Sequence, residues 1–322
     1  MSSGGIYKCQ AFFNEPDRLV SGAIWIETVE ICNMKIVKII GGLGNQMFQY
    51  ALLVALRETF REEILMDVST FASYKLHNGF ELERVFTITA QKATASEIQS
   101  LTHYTHNYRL SRIYRRLFPV KSTEKIENGR CRFDETVLTD DRSLYYDGIW
   151  QNYLYFDRFK DKIKQEFTYS IPLDDRNMKV EKDFRENLTV SLHIRRGDYL
   201  RHKNYIGLCG LDYYTAAVEY VKGKYGPDIN FAVFSNDMPW CEEHILPMLG
   251  GRYLSVDWNI GMDSYKDMRL MSACRVNIIA NSSFSWWAAY LNEHLDREIV
   301  APKKWTNMPV EFNRQMPSWT LF

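Results

Sequence analysis

At 322 residues, with 40 Lys and Arg balancing 40 Asp and Glu, the chain is long enough for two packed cores and carries no formal net charge. That balance, without a long basic stripe, argues against a nucleic-acid binder working through backbone electrostatics and points to a small anion or polar molecule as partner, with no nucleic acid. The six cysteines (Cys9, Cys32, Cys131, Cys209, Cys241 and Cys274) show no C-x-x-C pair, so neither a zinc site nor a disulfide framework is expected and a reducing compartment fits best.

Residues 1–33 mix polar and apolar positions without a sustained period and read as an N-terminal extension outside the structural chain. They lack the basic region, apolar core and small-residue cleavage site of a secretory leader, and no apolar run elsewhere reaches a membrane span. A cytoplasmic protein is expected. Deleting residues 2 to 33 is expected to leave stability and activity nearly intact, checked by soluble yield and turnover of the truncated chain. The first regular element is the strand Met34 to Ile40, followed by the turn Gly41-Gly42-Leu43-Gly44-Asn45-Gln46, a helix Met47 to Phe60 and a strand Glu63 to Val68, a βαβ opening. Helices are expected over Ala95 to Leu101 and Arg109 to Leu117, an exposed loop over Lys121 to Arg130, a strand over Ser143 to Ile149 and a helix over Phe156 to Phe167.

A charged, Pro-containing connection between Thr168 and Glu186 separates this part from a second, clearer alternation of short apolar strands and amphipathic helices. Strands are expected at Thr189 to Ile194, Phe231 to Phe234, Arg252 to Val256, Val276 to Ala280 and Glu298 to Ala301. Helices are expected at Asp212 to Lys224, about Pro239 to Met248, Ser264 to Ala273 and Phe284 to His294. The fold class is therefore α/β, with domains at 34–175 and 176–322.

In a parallel sheet ligands bind beyond the carboxyl ends of the strands, and three such loops carry chemistry. His193-Ile194-Arg195-Arg196-Gly197-Asp198 places adjacent arginines, whose planar forks match phosphate oxygens, beside a carboxylate that could act as base. Its bland alternative is a surface turn with Arg196 paired to Asp198. Ser235-Asn236-Asp237 reads either as a helix cap or as an acceptor of a guanine ring's N–H and amino groups. Asn281-Ser282-Ser283-Phe284-Ser285 opens a helix whose amides and dipole make an anion site, while Trp286 and Trp287 read as core. Gly41 to Gln46 does not complete G-x-G-x-x-G, so a dinucleotide site is not supported; Gly42 and Gly44 allow close backbone approach, and Asn45 and Gln46 would project amides from a helix start.

Single residues carry less. His103 and His106 read as surface residues rather than metal ligands, and no Asp-x-Asp pair at a strand end suggests a metal bridging a diphosphate. Asp267 reads as a helix-surface acid or as a group ordering the Arg195 loop. Tyr199 and Tyr205 are candidates for stacking on sugar faces, with Tyr213 and Tyr214 read as helix packing.

Taken together, Gly41 to Ala51, Gly148-Ile149-Trp150-Gln151 with Tyr155-Phe156, His193 to Tyr199, Phe234 to Asp237 and Asn281 to Leu291 resemble the α-1,2-fucosyltransferases of glycosyltransferase family 11, from Met34 nearly to the C-terminus. The resemblance implies a GT-B-type fold of two Rossmann-like domains with a nucleotide-sugar cleft between them. It implies a GDP-L-fucose donor, a galactose-bearing glycan acceptor and no cofactor or metal, with the donor in the C-terminal domain. Carried over by motif, Arg195 would meet the donor's β-phosphate, Arg196 would assist it, Asn236 and Asp237 would face guanine, and Ser282, Ser283, Phe284 and Ser285 the diphosphate. Gly42, Gly44, Asn45 and Gln46 would lie on the acceptor and fucose side. Asp198 is the first candidate base and His193 the second. A transferase using another nucleotide sugar and a non-catalytic glycan-binding protein stay open as alternatives, as does peripheral association with a membrane carrying a lipid-linked acceptor.

Overall fold

In a computed structural model of the chain, the structure describes residues 33–73, 76–103, 110, 113–114, 117–129, 132–309 and 314–322, and residues 33–322 form one compact unit. Two parallel sheets organise it. The first contains β1 (Lys35–Lys38), β2 (Ile64–Asp67), β3 (Glu124–Ile126) and β4 (Leu144–Asp147) in the order β2-β1-β4-β3. The second contains β5 (Thr189–Ile194), β6 (Asn230–Ser235), β7 (Tyr253–Val256), β8 (Val276–Ile278), β9 (Glu298–Ala301) and β10 (Thr320–Leu321) in the order β10-β9-β8-β5-β6-β7. Two helix-flanked parallel sheets are the architecture expected of a GT-B-type chain.

Both sheets reverse the direction in which successive strands are added. In the first, the chain steps from β1 to β2, crosses to β3 at the far edge and turns back to β4 beside β1. In the second it runs from β5 through β6 to β7 and returns beside β5 as β8. Where neighbouring strands send their connections in opposite directions a crevice opens at their carboxyl ends, the usual ligand position in an open α/β sheet. The sequence's loaded loops follow β1, β4, β5, β6 and β8.

Helix α1 (Leu43–Phe60) is enclosed on every face over its middle, residues Gln46 through Leu56 being all buried, with Gln46 and Gln49 the polar members of that run. It begins four residues ahead of the sequence expectation because Gly42 serves as its N-cap in extended backbone. Gly41, at φ 92°, makes the turn out of β1 that a side chain would resist. Along one flank α1 meets α8 (Ser283–Leu291): Phe48 lies 4.6 Å from the Trp286 ring and 5.0 Å from the Trp287 ring. Both tryptophans are fully buried, and the Trp287 indole N–H donates to the Gly44 carbonyl at 3.0 Å.

Several elements correct the sequence expectation. Lys121 to Arg130 contains the short edge strand β3, whose Glu-Lys-Ile composition gives no apolar alternation to read. The connection before the second sheet is largely helical, Asp175–Glu186, capped by the Asp174 carboxylate accepting from the Asn177 amide at 3.0 Å. Phe156 to Phe167 is a short 3-10 turn followed by helix Lys160–Glu166. Of Arg109 to Leu117, only Leu110, Ile113, Tyr114 and Leu117 are described, all helical; His106 lies outside the described residues, and His103 packs its ring on Phe118 at 5.6 Å.

Asp267 lies on helix Tyr265–Ala273 and accepts from Asn259 Nδ2 at 2.8 Å, which corrects the reading that it orders the Arg195 loop. Burial, with a smaller contribution from Asp257, raises its pKa from 3.8 to about 7. Because the folded chain holds this proton more tightly than the unfolded chain, the associated stability is full below pH 3.8 and is lost as pH rises through about 7. Asp267→Asn is expected to flatten that dependence, checked by urea unfolding of both chains between the two values. An unchanged slope would contradict it.

Candidate functional site

The register of β5 and β6 pairs Ile194 with Ser235, so the two following loops start side by side. Arg196 is the staple between them. Its amide donates to Asn236 Oδ1 at 2.9 Å, its Nε donates to Asp237 Oδ2 at 3.1 Å, and its guanidinium lies 3.8 Å from the Trp240 ring centre. Arg196 therefore pairs with Asp237. Gly197, at φ 46°, turns the loop so tightly that a Cβ there would sit 2.5 Å from Asn236 Nδ2. Asp237 also caps helix Met238–His244 through a 3.4 Å bond from the Trp240 amide.

Arg195 is half-buried, its guanidinium 5.3 Å from the Tyr199 ring centre. Tyr199 in turn stacks on Tyr205 at 4.6 Å. Tyr213 and Tyr214 are buried, donating to the carbonyls of Ile279 and His193. Asp198 falls in the 3-10 turn Gly197–Arg201; its side chain lies outside what the structure describes. His193 is buried with its Nδ1 lacking a partner among the described residues, and burial together with the Arg195 charge pushes its pKa down to about 3. Both effects favour the neutral imidazole.

Beyond β8, Ser282 caps α8, its hydroxyl accepting from the Phe284 amide at 3.3 Å. Ser285 is buried, and its hydroxyl bonds back to the carbonyls of Ala280 and Ser282. The Ser283 hydroxyl donates to Asn45 Oδ1 at 3.0 Å. What this terminus offers an anion is therefore its first-turn backbone amides and its dipole, not a row of hydroxyl donors.

Asn45 joins the two sheets' crevices. Its Oδ1 also accepts from Gln151 Nε2 at 2.7 Å, and Gln151 Oε1 accepts from Arg314 Nε at 2.6 Å. The loop after β1, the loop after β4, the N-terminus of α8 and the C-terminal segment thus share one chain of hydrogen bonds. Gln151 follows Trp150, which is buried at φ 57°, an unusual conformation for a bulky residue. Glu127 Oε2 holds that turn by accepting from the amides of Ile149 at 2.7 Å and Trp150 at 3.0 Å. The motif containing Gln151 was visible in the sequence, but its partner Arg314, 163 residues away, was not.

Gly44 and Gln46 take different roles from those expected. A Cβ on Gly44 would sit 2.7 Å from the Phe284 amide nitrogen and from the Ser283 carbonyl carbon, so the close approach that Gly44 permits is between α1 and α8. Gln46 is fully buried, its amide spent on the carbonyls of Gly41 and Gly79 and on the Glu81 amide. It fixes the His77-Asn78-Gly79 loop instead of projecting into a cleft. Gly42 lies under the His77 ring, 3.3 Å from where its Cβ would be. Among the described residues no three His, Cys, Asp or Glu side chains converge as metal ligands, and no helix is long and apolar enough to cross a membrane.

The model of glycosyl transferase family 11 matches residues 23–321. The chain belongs to that family. The family match begins ahead of Met34, where the sequence placed the start of the structural chain. An alpha-1,2-colitosyltransferase of Escherichia coli is 31% identical to this family member over 278 residues, spanning 84% of this chain and 91% of the relative. The O-antigen biosynthesis glycosyltransferase WbnK of Escherichia coli is 31% identical over 302 residues, spanning 87% and 97%. The galactoside alpha-(1,2)-fucosyltransferase 1 of Ateles belzebuth is 29% identical over 265 residues; the match spans 78% of this chain and 63% of that longer relative. The family 11 chain is thus a glycosyltransferase, and the loops its sequence singled out follow β1, β4, β5, β6 and β8.

Proposed function

We propose that this family 11 enzyme transfers L-fucose from GDP-β-L-fucose to the 2-hydroxyl of a galactoside, with inversion, and without a cofactor or metal. The observation that carries the proposal is the crevice between β5 and β8, flanked by the Arg195 loop on one side and the α8 N-terminus on the other. A diphosphate there would meet a permanent cation and a set of backbone donors. Asn236 and Asp237, one strand over, would accept from guanine while still bound to Arg196.

In the reaction the acceptor's O2 attacks the anomeric carbon as the bond to the β-phosphate oxygen breaks, GDP leaving with the electron pair from the opposite face. The β-linked donor so becomes an α-linked product. The acceptor's proton passes to Asp198, the carboxylate of the same motif, directly or through one water. Arg195 would stabilise the charge growing on the leaving diphosphate.

A second reading is favoured by the 31% identity to the colitosyltransferase, since colitose is L-fucose without its 3-hydroxyl. Competition between GDP-L-fucose, GDP-colitose and a UDP-sugar, read by product mass on a β-galactoside, separates the readings. The proposal expects GDP-L-fucose to give the highest kcat/KM; preference for GDP-colitose moves the assignment to the second reading, and transfer from the UDP-sugar overturns both. Arg196→Ala is expected to raise the donor KM about tenfold with a smaller change in kcat, as loss of a charged hydrogen bond that positions the base-binding loop. An unchanged donor KM would remove Arg196 from that role.

A further inference from the structure

The hydrogen-bond chain through Asn45 has a direction, and a guanidinium sets it. Arg314 can only donate, so Gln151 turns its Oε1 to Arg314 Nε, at 2.6 Å, and its Nε2 to Asn45. Asn45 must then answer with its own oxygen, which accepts from Gln151 Nε2 at 2.7 Å and from the Ser283 hydroxyl at 3.0 Å. Both bonds fall on Oδ1. The Asn45 Nδ2 donates to no partner among the described residues, although the side chain is half-buried and held at two points. It lies over the turn that leaves β1, since a Cβ on Gly41 would sit 2.9 Å from it.

The other members of the chain are themselves fixed from outside. The Arg314 carbonyl accepts from the Trp286 indole N–H at 2.8 Å, and Trp286 is fully buried in α8. The turn carrying Gln151 is tied to α1 by Gln49, whose Nε2 donates to the Gly148 carbonyl at 2.9 Å and whose Oε1 accepts from the Ile40 amide at 2.8 Å. Glu127 holds the same turn through the Ile149 and Trp150 amides, and Trp150 keeps its positive φ there. Such a backbone conformation persists only where the surroundings over-determine it. The restraints converge on the direction of one amide.

We propose that Arg314 and Gln151 are positioning residues that hold Asn45 with its Nδ2 toward the crevice beyond β1 and β4, where it donates to an oxygen of the acceptor sugar. The inference rests on the reading of that crevice as the acceptor side. Nδ2 can only donate, and a sugar hydroxyl or ring oxygen accepts without bringing charge.

The test is an NMR titration of the chain, saturated with GDP, by a β-galactoside, with GDP binding to the free chain measured alongside; no transfer is read. Asn45→Asp is the deciding variant, because its carboxylate still accepts from Gln151 and Ser283 but has no N–H for a ligand. It is expected to weaken galactoside binding about tenfold, as loss of one hydrogen bond, with the thermal midpoint held. Gln151→Met, which frees the Asn45 amide to turn, serves if that chain fails to fold, and is expected to weaken galactoside binding more than GDP binding. Arg314→Lys, which still donates to Gln151, is expected to keep more of the galactoside affinity than Arg314→Met. Wild-type galactoside affinity in Asn45→Asp would leave the amide as a strut alone and overturn the proposal. So would equal loss of GDP and galactoside binding in Gln151→Met, or equal galactoside affinities in the two Arg314 variants. Failure of the wild-type chain itself to bind the galactoside is a separate result, which would overturn the acceptor reading and this inference with it.

Discussion

Replacing Arg195 by alanine is expected to lower transfer about a hundredfold to a thousandfold, the usual cost of removing one preorganised donor from a charge-developing site. The fold should survive. Arg195 is half-buried beside Tyr199 at the end of β5, while the strand's packing comes from Val190, Leu192 and Ile194, which are fully buried. The loss should appear in kcat more than in donor KM if the guanidinium acts chiefly on the departing diphosphate. Arg195→Lys should recover only part of the rate, because an ammonium supplies charge without the two-pronged geometry. Near wild-type turnover by a folded Arg195→Ala chain would remove this residue from the mechanism.

Gly44→Val is expected to be the most damaging single change in the first half of the chain. Its Cβ would fall 2.7 Å from backbone atoms of Ser283 and Phe284, and neither helix has an easy path away. The Gly44 carbonyl is held by Trp287, and the Ser283 hydroxyl by Asn45. Overpacking of this kind costs on the order of 1–3 kcal/mol or more, and the displacement would also shift the α8 N-terminus. Both the urea midpoint and GDP binding should fall. Gly223→Ala is the contrasting control: in helix Leu211–Tyr225 a Cβ on Gly223 meets nothing within 4 Å, so a gain of about 0.5–1 kcal/mol is expected. An unaltered midpoint for Gly44→Val would show that the two helices part more readily than their contacts indicate.

What the sequence made legible follows from which signals are local. Strands β5, β6, β8 and β9 are short apolar runs between turn residues, and the sequence placed each of them to within two residues at either end. Edge strand β3 and helix Asp175–Glu186 were missed because one is too short and charged to show a period and the other is strongly polar; its capping residue, Asp174, was the available signal. The candidate loops were recognised from residue type, but their internal bonding was not. No local rule predicts that Arg196 pairs with Asp237 across two loops, that the Ser283 proton is given to Asn45, or that Gln46 spends its whole amide on backbone.

The pairing of the two crevices through Asn45 gives the account its mechanical basis. A donor held against β5 and β8 and an acceptor approaching the loops after β1 and β4 would be placed by one hydrogen-bonded chain, Ser283–Asn45–Gln151–Arg314. Such coupling makes positioning of both substrates sensitive to the same few residues.

The most direct measurement is the structure of the product. The enzyme is incubated with GDP-β-L-fucose and a β-galactoside, and the purified trisaccharide or disaccharide is examined by NMR for the anomeric configuration of the new fucose and the galactose carbon that carries it. The account predicts an α-fucoside on O2 of galactose. A β-linked fucose, attachment at another galactose hydroxyl, or release of free fucose without glycoside formation would contradict it.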